Sequence, residues 1–482
     1  MPTPTLPPPD AAREILARAL ADSPADRTEI AWAEAVHRRE RSNRPDGKTE
    51  APRKDAGRDA RRPSPARGEP GTTREVNLSV RVVERGRVGV FRAAALDRAE
   101  LAAAIRRALA DARLAPAPPQ PLEAPAPGGP GAPADPPPTD ALWDPEIADL
   151  SAEEARALLA QGLADDESAT FAWTEGRIGY AATGVAPRVA ALTGAALVLR
   201  IGRGPATGSA EGVARRLADL APGRLLDLAR SRRADPSLGD PPDAPVPLVL
   251  APLAAAHLAT AFARAALDSR AIAERIADGP PGAWPLFGHL GEQVAASRLS
   301  LADDATDREG LPLPFDARGA WTRRVELISA GIFRGAALTR ELAGRLDLLA
   351  ALADLPLATD FDQAAPLHLV LSGSDPAAAL AEADLLAAAD GGLWIAALSP
   401  LAVYDPGNLR FRAVAHGVRR IEGGKIGPAL PNLVWESSLL EAFARVTAFG
   451  AERVAVANGA PWLGATLAPA MGLEPLFTLR AV

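Results

Sequence analysis

Five histidines, His37, His257, His289, His368 and His416, are the side chains here best suited to metal binding or proton transfer. The nearest two in sequence are His257 and His289, too far apart to be ligands on one helical face. Cysteine is absent, which removes disulfides, thiolate nucleophiles, iron–sulfur clusters and cysteine-ligated zinc. His257 lies on an expected helix after an apolar strand, where a metallopeptidase would place its first zinc ligand. A zinc helix needs a glutamate beside that histidine to act on metal-bound water, and a second histidine one turn on. Leu258 follows His257, and Ala261 and Phe262 occupy the next turn. None of these binds metal, so His257 reads as a helical histidine with a structural partner.

The other candidates are weighed in the same way. His289 and Glu292 have the spacing of a carboxylate–histidine metal pair, but Gly288 and Gly291 flank them and no second pair is near. A surface histidine is the simpler reading. His368 sits in the apolar run 367–371, where a structural hydrogen bond is expected. His416 is close in sequence to Asp405 and Arg412, an arrangement that could serve a general base, yet no nucleophile accompanies it. The segment Ser372-Gly373-Ser374-Asp375-Pro376 looks like a capped helix start and lacks the Gly-x-Ser-x-Gly pattern of a nucleophile elbow. Asp303, Asp304, Asp307 and Glu309 could chelate calcium, but their spacing fits no EF-hand. A solvated loop is favoured there.

The elements that must position these residues follow from composition and pattern. The 482 residues are 48% apolar and 23% charged, enough for a sizeable core and for about three domains of ~150 residues each. Net charge is −7, and lysine stands only at Lys48, Lys54 and Lys425. Basic residues concentrate between Arg38 and Arg62, leaving an acidic body, which argues against a nucleic-acid partner. No run of about 18 uncharged apolar residues exists, so no membrane span is expected. The first residues lack a basic segment followed by an apolar one, so no secretory signal and a cytoplasmic location are expected.

The fold class expected is α+β. Residues 1–113 form an N-terminal α+β domain, with a helix from Asp10, a strand over 28–36, and a hairpin turning at Arg85-Gly86. Asp97 and Glu100 then form a capping box. Within it, 38–73 is Arg-, Pro-, Gly- and Asp-rich and is expected to be a disordered insertion. Residues 114–141 are a Pro-rich linker. Residues 142–240 form a central α/β domain with a capping box at Ser151 and Glu154, strands, and helical stretches over 211–229. Residues 241–482 form a strand-rich C-terminal domain. It opens with a strand over 246–250 and a long helix over 253–276, and contains a hairpin turning at Ala330-Gly331.

The order of these local patterns resembles the TldD/PmbA family. The clearest stretch holds Leu290-Gly291-Glu292-Gln293-Val294-Ala295, Leu301-Ala302-Asp303-Asp304, Pro314-Phe315-Asp316 and Gly319, followed by the strand from Arg324 with Gly331 and Gly335. A second stretch runs Gly407-Asn408-Leu409-Arg410-Phe411, then His416-Gly417, then Ile421-Glu422-Gly423-Gly424-Lys425-Ile426. The resemblance implies a multi-domain fold with an α/β N-terminal part and a strand-rich C-terminal domain, related to a cytoplasmic metallopeptidase complex. Zinc-bearing members carry His-Glu-x-x-x-His on the helix that begins here at Leu253. This sequence departs at both the glutamate and the second histidine.

The chain therefore looks like the PmbA/TldE branch, without its own zinc or catalytic residues, so its standing as an enzyme is open. The resemblance implies a zinc-bearing TldD-like partner subunit that supplies the zinc, and unfolded or linear peptides as substrates. Asp303, Asp304, Phe315, Asp316, Gly319 and Gly331 are the residues expected to wall a peptide cavity. The alternatives are a stand-alone peptide-binding or scaffold protein of the same fold, and an enzyme with separate chemistry at His416.

Overall fold

The computed structural model describes residues 6–42, 71–116, 141–160, 163–164, 167–202, 207–233, 239–277, 279–348, 357–361, 363–458, 462–475 and 479–481. The first half contains α1 (Pro9–Ala21), β1 (Arg27–Ser42), β2 (Gly71–Glu84), β3 (Arg87–Ala93) and α2 (Arg98–Leu114). After residues 117–140, the greater part of the expected Pro-rich linker, which lie outside the described residues, come α3 (Pro145–Ala148) and α4 (Ala152–Ala160). Then follow β4 (Glu167–Ala182), β5 (Val185–Ile201), β6 (Gly208–Ala214), α5 (Leu217–Leu220) and α6 (Pro222–Ser231).

One six-stranded sheet in the order β3-β2-β1-β4-β5-β6 contains strands from both sides of the Pro-rich stretch. The segments read as an N-terminal and a central domain thus share a single sheet. β1 joins them because both its edges are paired: Trp32 lies between Leu78 of β2 and Gly179 of β4. The same pairing corrects the ends of the expected disordered insertion. Arg38 pairs with Thr72 and Arg39 with Gly71, while Arg41 pairs with Thr170 of β4. Backbone hydrogen bonds on both edges hold this polar stretch extended without an apolar side-chain contribution. Residues 43–70, the remainder of that expectation, lie outside the described residues.

Local signals in this half follow their chemistry. The β2–β3 turn uses Arg85 and Gly86 at φ 51° and 74°, the left-handed pair that a tight hairpin requires. Asp97 accepts from Glu100 N at 2.8 Å, but the Glu100 carboxylate reaches Ala94 N, so the box closes one turn earlier than its pattern implies. Ser151 and Glu154 bond each other reciprocally. Helical expectation over 211–229 fails at its start, because residues 211–214 belong to β6, which pairs with β5.

The C-terminal half holds β7 (Leu248–Leu250), α7 (Pro252–Phe262), α8 (Ser269–Ile276), β8 (Leu299–Asp304), β9 (Arg324–Ser329), β10 (Ile332–Phe333) and α9 (Arg340–Arg345). It continues with β11 (Ala358–Asp360), β12 (Gln363–Ala364), β13 (His368–Gly373), β14 (Leu393–Ile395), β15 (Ala397–Asp405) and β16 (Arg410–His416). Last come β17 (Arg419–Glu422), β18 (Lys425–Ala429), β19 (Leu433–Ser438), β20 (Val446–Ala457), β21 (Ala465–Leu473) and β22 (Leu479–Ala481). A ten-stranded sheet runs β10-β9-β8-β13-β21-β7-β14-β17-β18, with β20 also on β21, and a four-stranded sheet runs β15-β16-β19-β22. The helix expected over 253–276 is two helices, since Asp268 is extended and accepts from Arg270 N and Ala271 N, capping α8. α7 is the core of this half: Leu253, Leu258 and Phe262 are buried, and Phe262 packs on Phe443 at 5.1 Å.

The six-stranded sheet has two unlike faces. One packs on α1 and α2 through Leu16, Trp32, Leu78, Val80 and Ile105. The other meets the C-terminal half through Ala31, Ala35, Ile178, Tyr180, Phe315 and Trp462. Among the described residues no helix is long and apolar enough to cross a membrane.

Candidate functional site

Strand alternation sends every second residue of β1 toward the C-terminal half. These residues are Ala31, Ala33 and Ala35, then His37 and Arg39. Their β2 partners are Ser79, Asn77, Glu75, Thr73 and Gly71. So many short side chains cannot fill the gap between sheet and domain, and a cavity of about 1080 Å³ remains there. Its opposite wall comes from the end of β8, the loop leading to β9, the β11–β12 hairpin and Trp462. Gly176 of β4 admits the Trp462 ring, with which a Cβ at that position would collide.

Three of the six expected wall residues line this cavity: Asp303, Phe315 and Asp316. Asp303 is buried and accepts from His368 N at 2.7 Å, and burial pushes its carboxyl up to about 7. Asp316 accepts from Arg318 N and Ala320 N, each at 2.9 Å, and from Ala358 N at 3.2 Å. Burial still pushes it up to about 6. Both carboxyls spend their lone pairs on backbone N–H groups, which shapes the wall. Phe315 meets Trp321 edge-on at 6.2 Å.

The other three are placed elsewhere. Asp304 turns away to accept from Thr306 and pairs with Arg324 at 3.4 Å. Gly319, at φ 74°, lies behind the Tyr180 ring, and its carbonyl accepts from Arg188. Gly331, at φ 80°, forms the β9–β10 turn and donates to Leu299 O at 2.8 Å.

Sequence reasoning missed the sheet side of the cavity. His37 bonds Thr174 Oγ1 at 2.9 Å and Glu75 at 3.2 Å, and its ring stands edge-on to Trp462 at 6.3 Å. The available signal was the alternation of His37 and Arg39 with the alanines before them, obscured by the Arg-rich run that follows. Beneath the cavity, the buried Arg215 donates to the carbonyls of Thr193, Leu311, Pro312 and Trp462 at 2.7 to 3.2 Å. It thereby ties β5 to two segments of the C-terminal half.

The remaining histidines do not assemble. His368 is buried; desolvation, with Arg215 nearby, lowers it to about 3. His289 pairs with Glu292 at 2.7 Å on the surface. His416 Nε2 contacts Ser399 O, while Asp405 instead accepts from Asn408. His416 neighbours His257, which burial and that neighbour lower to about 4. His257 Nδ1 accepts from Leu398 N at 3.3 Å.

Residues 243–474 match the PmbA/TldA metallopeptidase C-terminal domain. The C-terminal half of the chain carries a domain of the TldD/PmbA family. TldE from Thermococcus kodakarensis superposes with a TM-score of 0.73 at 16% identity, covering 98% of this chain and 100% of that one. A Thermotoga maritima protein described as a candidate modulator of a DNA gyrase gives 0.74 at 17% identity, covering 96% and 99%. A Bacteroides thetaiotaomicron protein described in similar terms gives 0.67 at 15%, covering 98% of each chain. These likenesses show the shared α+β fold. No curated protein matches the chain significantly.

The zinc motif of TldD/PmbA members can be tested on α7. With Nδ1 of His257 accepting a backbone N–H, its proton sits on Nε2, leaving no free lone pair for a metal. Leu258 and Phe262 are fully buried against apolar neighbours. Among the described residues no group of three or more His, Asp and Glu side chains is arranged to hold a metal ion. The residues present do not fit zinc at this helix.

Proposed function

We propose that this chain is the metal-free, PmbA/TldE-like subunit of a TldD/TldE-type metallopeptidase acting on unfolded or linear peptides. Hydrolysis takes place on the zinc of a TldD-like partner subunit. The observation that carries this reading is α7, where a family zinc helix has its glutamate and second histidine replaced by Leu258 and by Ala261 and Phe262. An apolar helix packed into the core supports a structural role for this chain in the pair. The cavity beneath the six-stranded sheet supports a part in holding peptide.

The test is zinc analysis of the purified chain, alone and co-expressed with a TldD-like protein, followed by cleavage of an unfolded peptide. The expected result is zinc only in the pair, and faster cleavage by the pair than by the zinc subunit alone. Stoichiometric zinc in the lone chain overturns the proposal. A self-associating chain with no affinity for a TldD-like subunit would favour a stand-alone peptide-binding protein.

A further inference from the structure

Among the described residues, Arg39 in the cavity wall is a cation without a counter-ion. Its Nε is buried without a hydrogen-bond partner, and no carboxylate pairs with its guanidinium among the described residues. Apart from Arg38, whose Nη1 is likewise buried without a partner, the other charged side chains of the wall are accounted for. Arg92 pairs with Asp360 at 3.0 Å and Arg270 with Glu274 at 2.9 Å. Glu75 is held by His37 and by Asn77 at 2.8 Å. Asp303 and Asp316 are engaged by backbone N–H groups. Arg38 borders the cavity, but strand alternation directs its side chain to the opposite face of the sheet. Arg39 is half-buried, and its one buried, unpaired N–H gains when an anion meets the planar fork, which a carboxylate matches with two parallel bonds.

The rest of the wall limits what carries the carboxylate. Ile178, Leu313, Phe315 and Trp462 give an apolar surface, and Asn77 and Gln363 give amides. A polyanion would meet Glu75 and Asp360 as well as Arg39. The cavity, about 1080 Å³, stands at the upper limit of the roughly 300–1,000 Å³ usual for small-molecule sites. The best fit is a ligand with one negative charge and a long, partly apolar body.

We propose that this cavity captures the free carboxyl terminus of an extended peptide, with the terminal carboxylate on Arg39 and the last side chain against Phe315 and Trp462. This rests on the peptide-handling reading above and narrows its substrate class to chains with a free end.

The experiment uses the purified full chain without any partner and fluorescein-labelled Gly-Ala-Gly-Ala-Phe in three forms. These are the free acid, the C-terminal amide, and the amide with Glu in place of the fourth residue. Binding by fluorescence anisotropy is expected to weaken about 10- to 100-fold on amidation, the usual worth of a charge-assisted hydrogen bond. Arg39→Gln should remove the preference for the free acid, and Arg39→Lys should keep part of it. A thermal melt establishes that both variants fold, and the amidation arm needs no variant. Equal binding of acid and amide overturns the proposal, as does no binding of the acid at millimolar concentration. Full recovery with the Glu-containing amide overturns the terminal assignment in favour of an acidic side chain. None of these outcomes depends on zinc or a partner, so the subunit reading stands or falls separately on the paired cleavage assay.

Discussion

Replacing Asp303 by Asn should make the protein more stable at neutral and alkaline pH. The carboxyl is 3% exposed and is pushed from an ordinary 3.8 to about 7 by burial, with Asp304 adding to the rise and the His368 N–H opposing it. Its folded pKa therefore lies above its unfolded one. The contribution is fully present below pH 3.8 and is lost as pH rises through about 7, because the unfolded chain releases the proton first. At 1.36 kcal/mol per pKa unit, ionisation of the buried group costs the fold about 4 kcal/mol in full, of which about 3 kcal/mol appears between pH 4.5 and 8. An asparagine side chain keeps an acceptor for His368 N–H and cannot ionise. Urea unfolding of both proteins across that range isolates this group, since every other titrating residue cancels in the difference. The Asp303→Asn variant should gain about 3 kcal/mol on wild type between the two ends. A difference that stays within about 0.5 kcal/mol across the range would refute the desolvation argument.

Other outcomes follow from the same packing. Arg215→Met should lower stability by about 3 kcal/mol or more, at roughly 1–3 kcal/mol for each buried carbonyl left unsatisfied. Arg215→Lys should not restore it, because one ammonium cannot reach four separate carbonyls; thermal melts decide this. Gly331→Ala should cost more than Gly86→Ala. Both glycines have positive φ, worth about 1 kcal/mol, but only at Gly331 would the Cβ strike backbone, at Ala295 O. Denaturant midpoints of the two variants give the comparison. His257 is lowered to about 4, so its contribution is complete above 6.5 and is lost as pH falls toward 4. His257→Gln should flatten the acid limb of the stability profile, and an unchanged limb would place the titration elsewhere.

Local chemistry was legible wherever one residue's backbone preference decides the outcome. Arg85-Gly86 and Ala330-Gly331 turn where their types require, because glycine enters the left-handed region without penalty. Ser151 and Glu154 cap because their side chains reach only nearby N–H groups. Errors arose where distant segments compete. The ends of the Arg-rich stretch looked unable to order by themselves, yet β2 and β4 clasp β1 from both edges. Residues 211–214 looked helical and became β6 because β5 offered an open edge. Asp303, Phe315 and Asp316, three of the expected wall residues, line the cavity, whereas Arg39, Glu75 and Trp462 also line it and were not singled out from the sequence.

The sequence by itself determined that α7 carries no zinc motif, that no cysteine chemistry is available, and that the order of motifs over most of residues 10–460 resembles the TldD/PmbA family. Those conclusions depend on residue identity and spacing, which no packing can alter. Only the tertiary structure decided that segments separated by the Pro-rich stretch form one sheet, and that its face of small residues leaves a cavity with Arg39 inside. The pairing partners of β1 lie far apart in sequence, and whether a charge is compensated depends on which groups the fold brings to it.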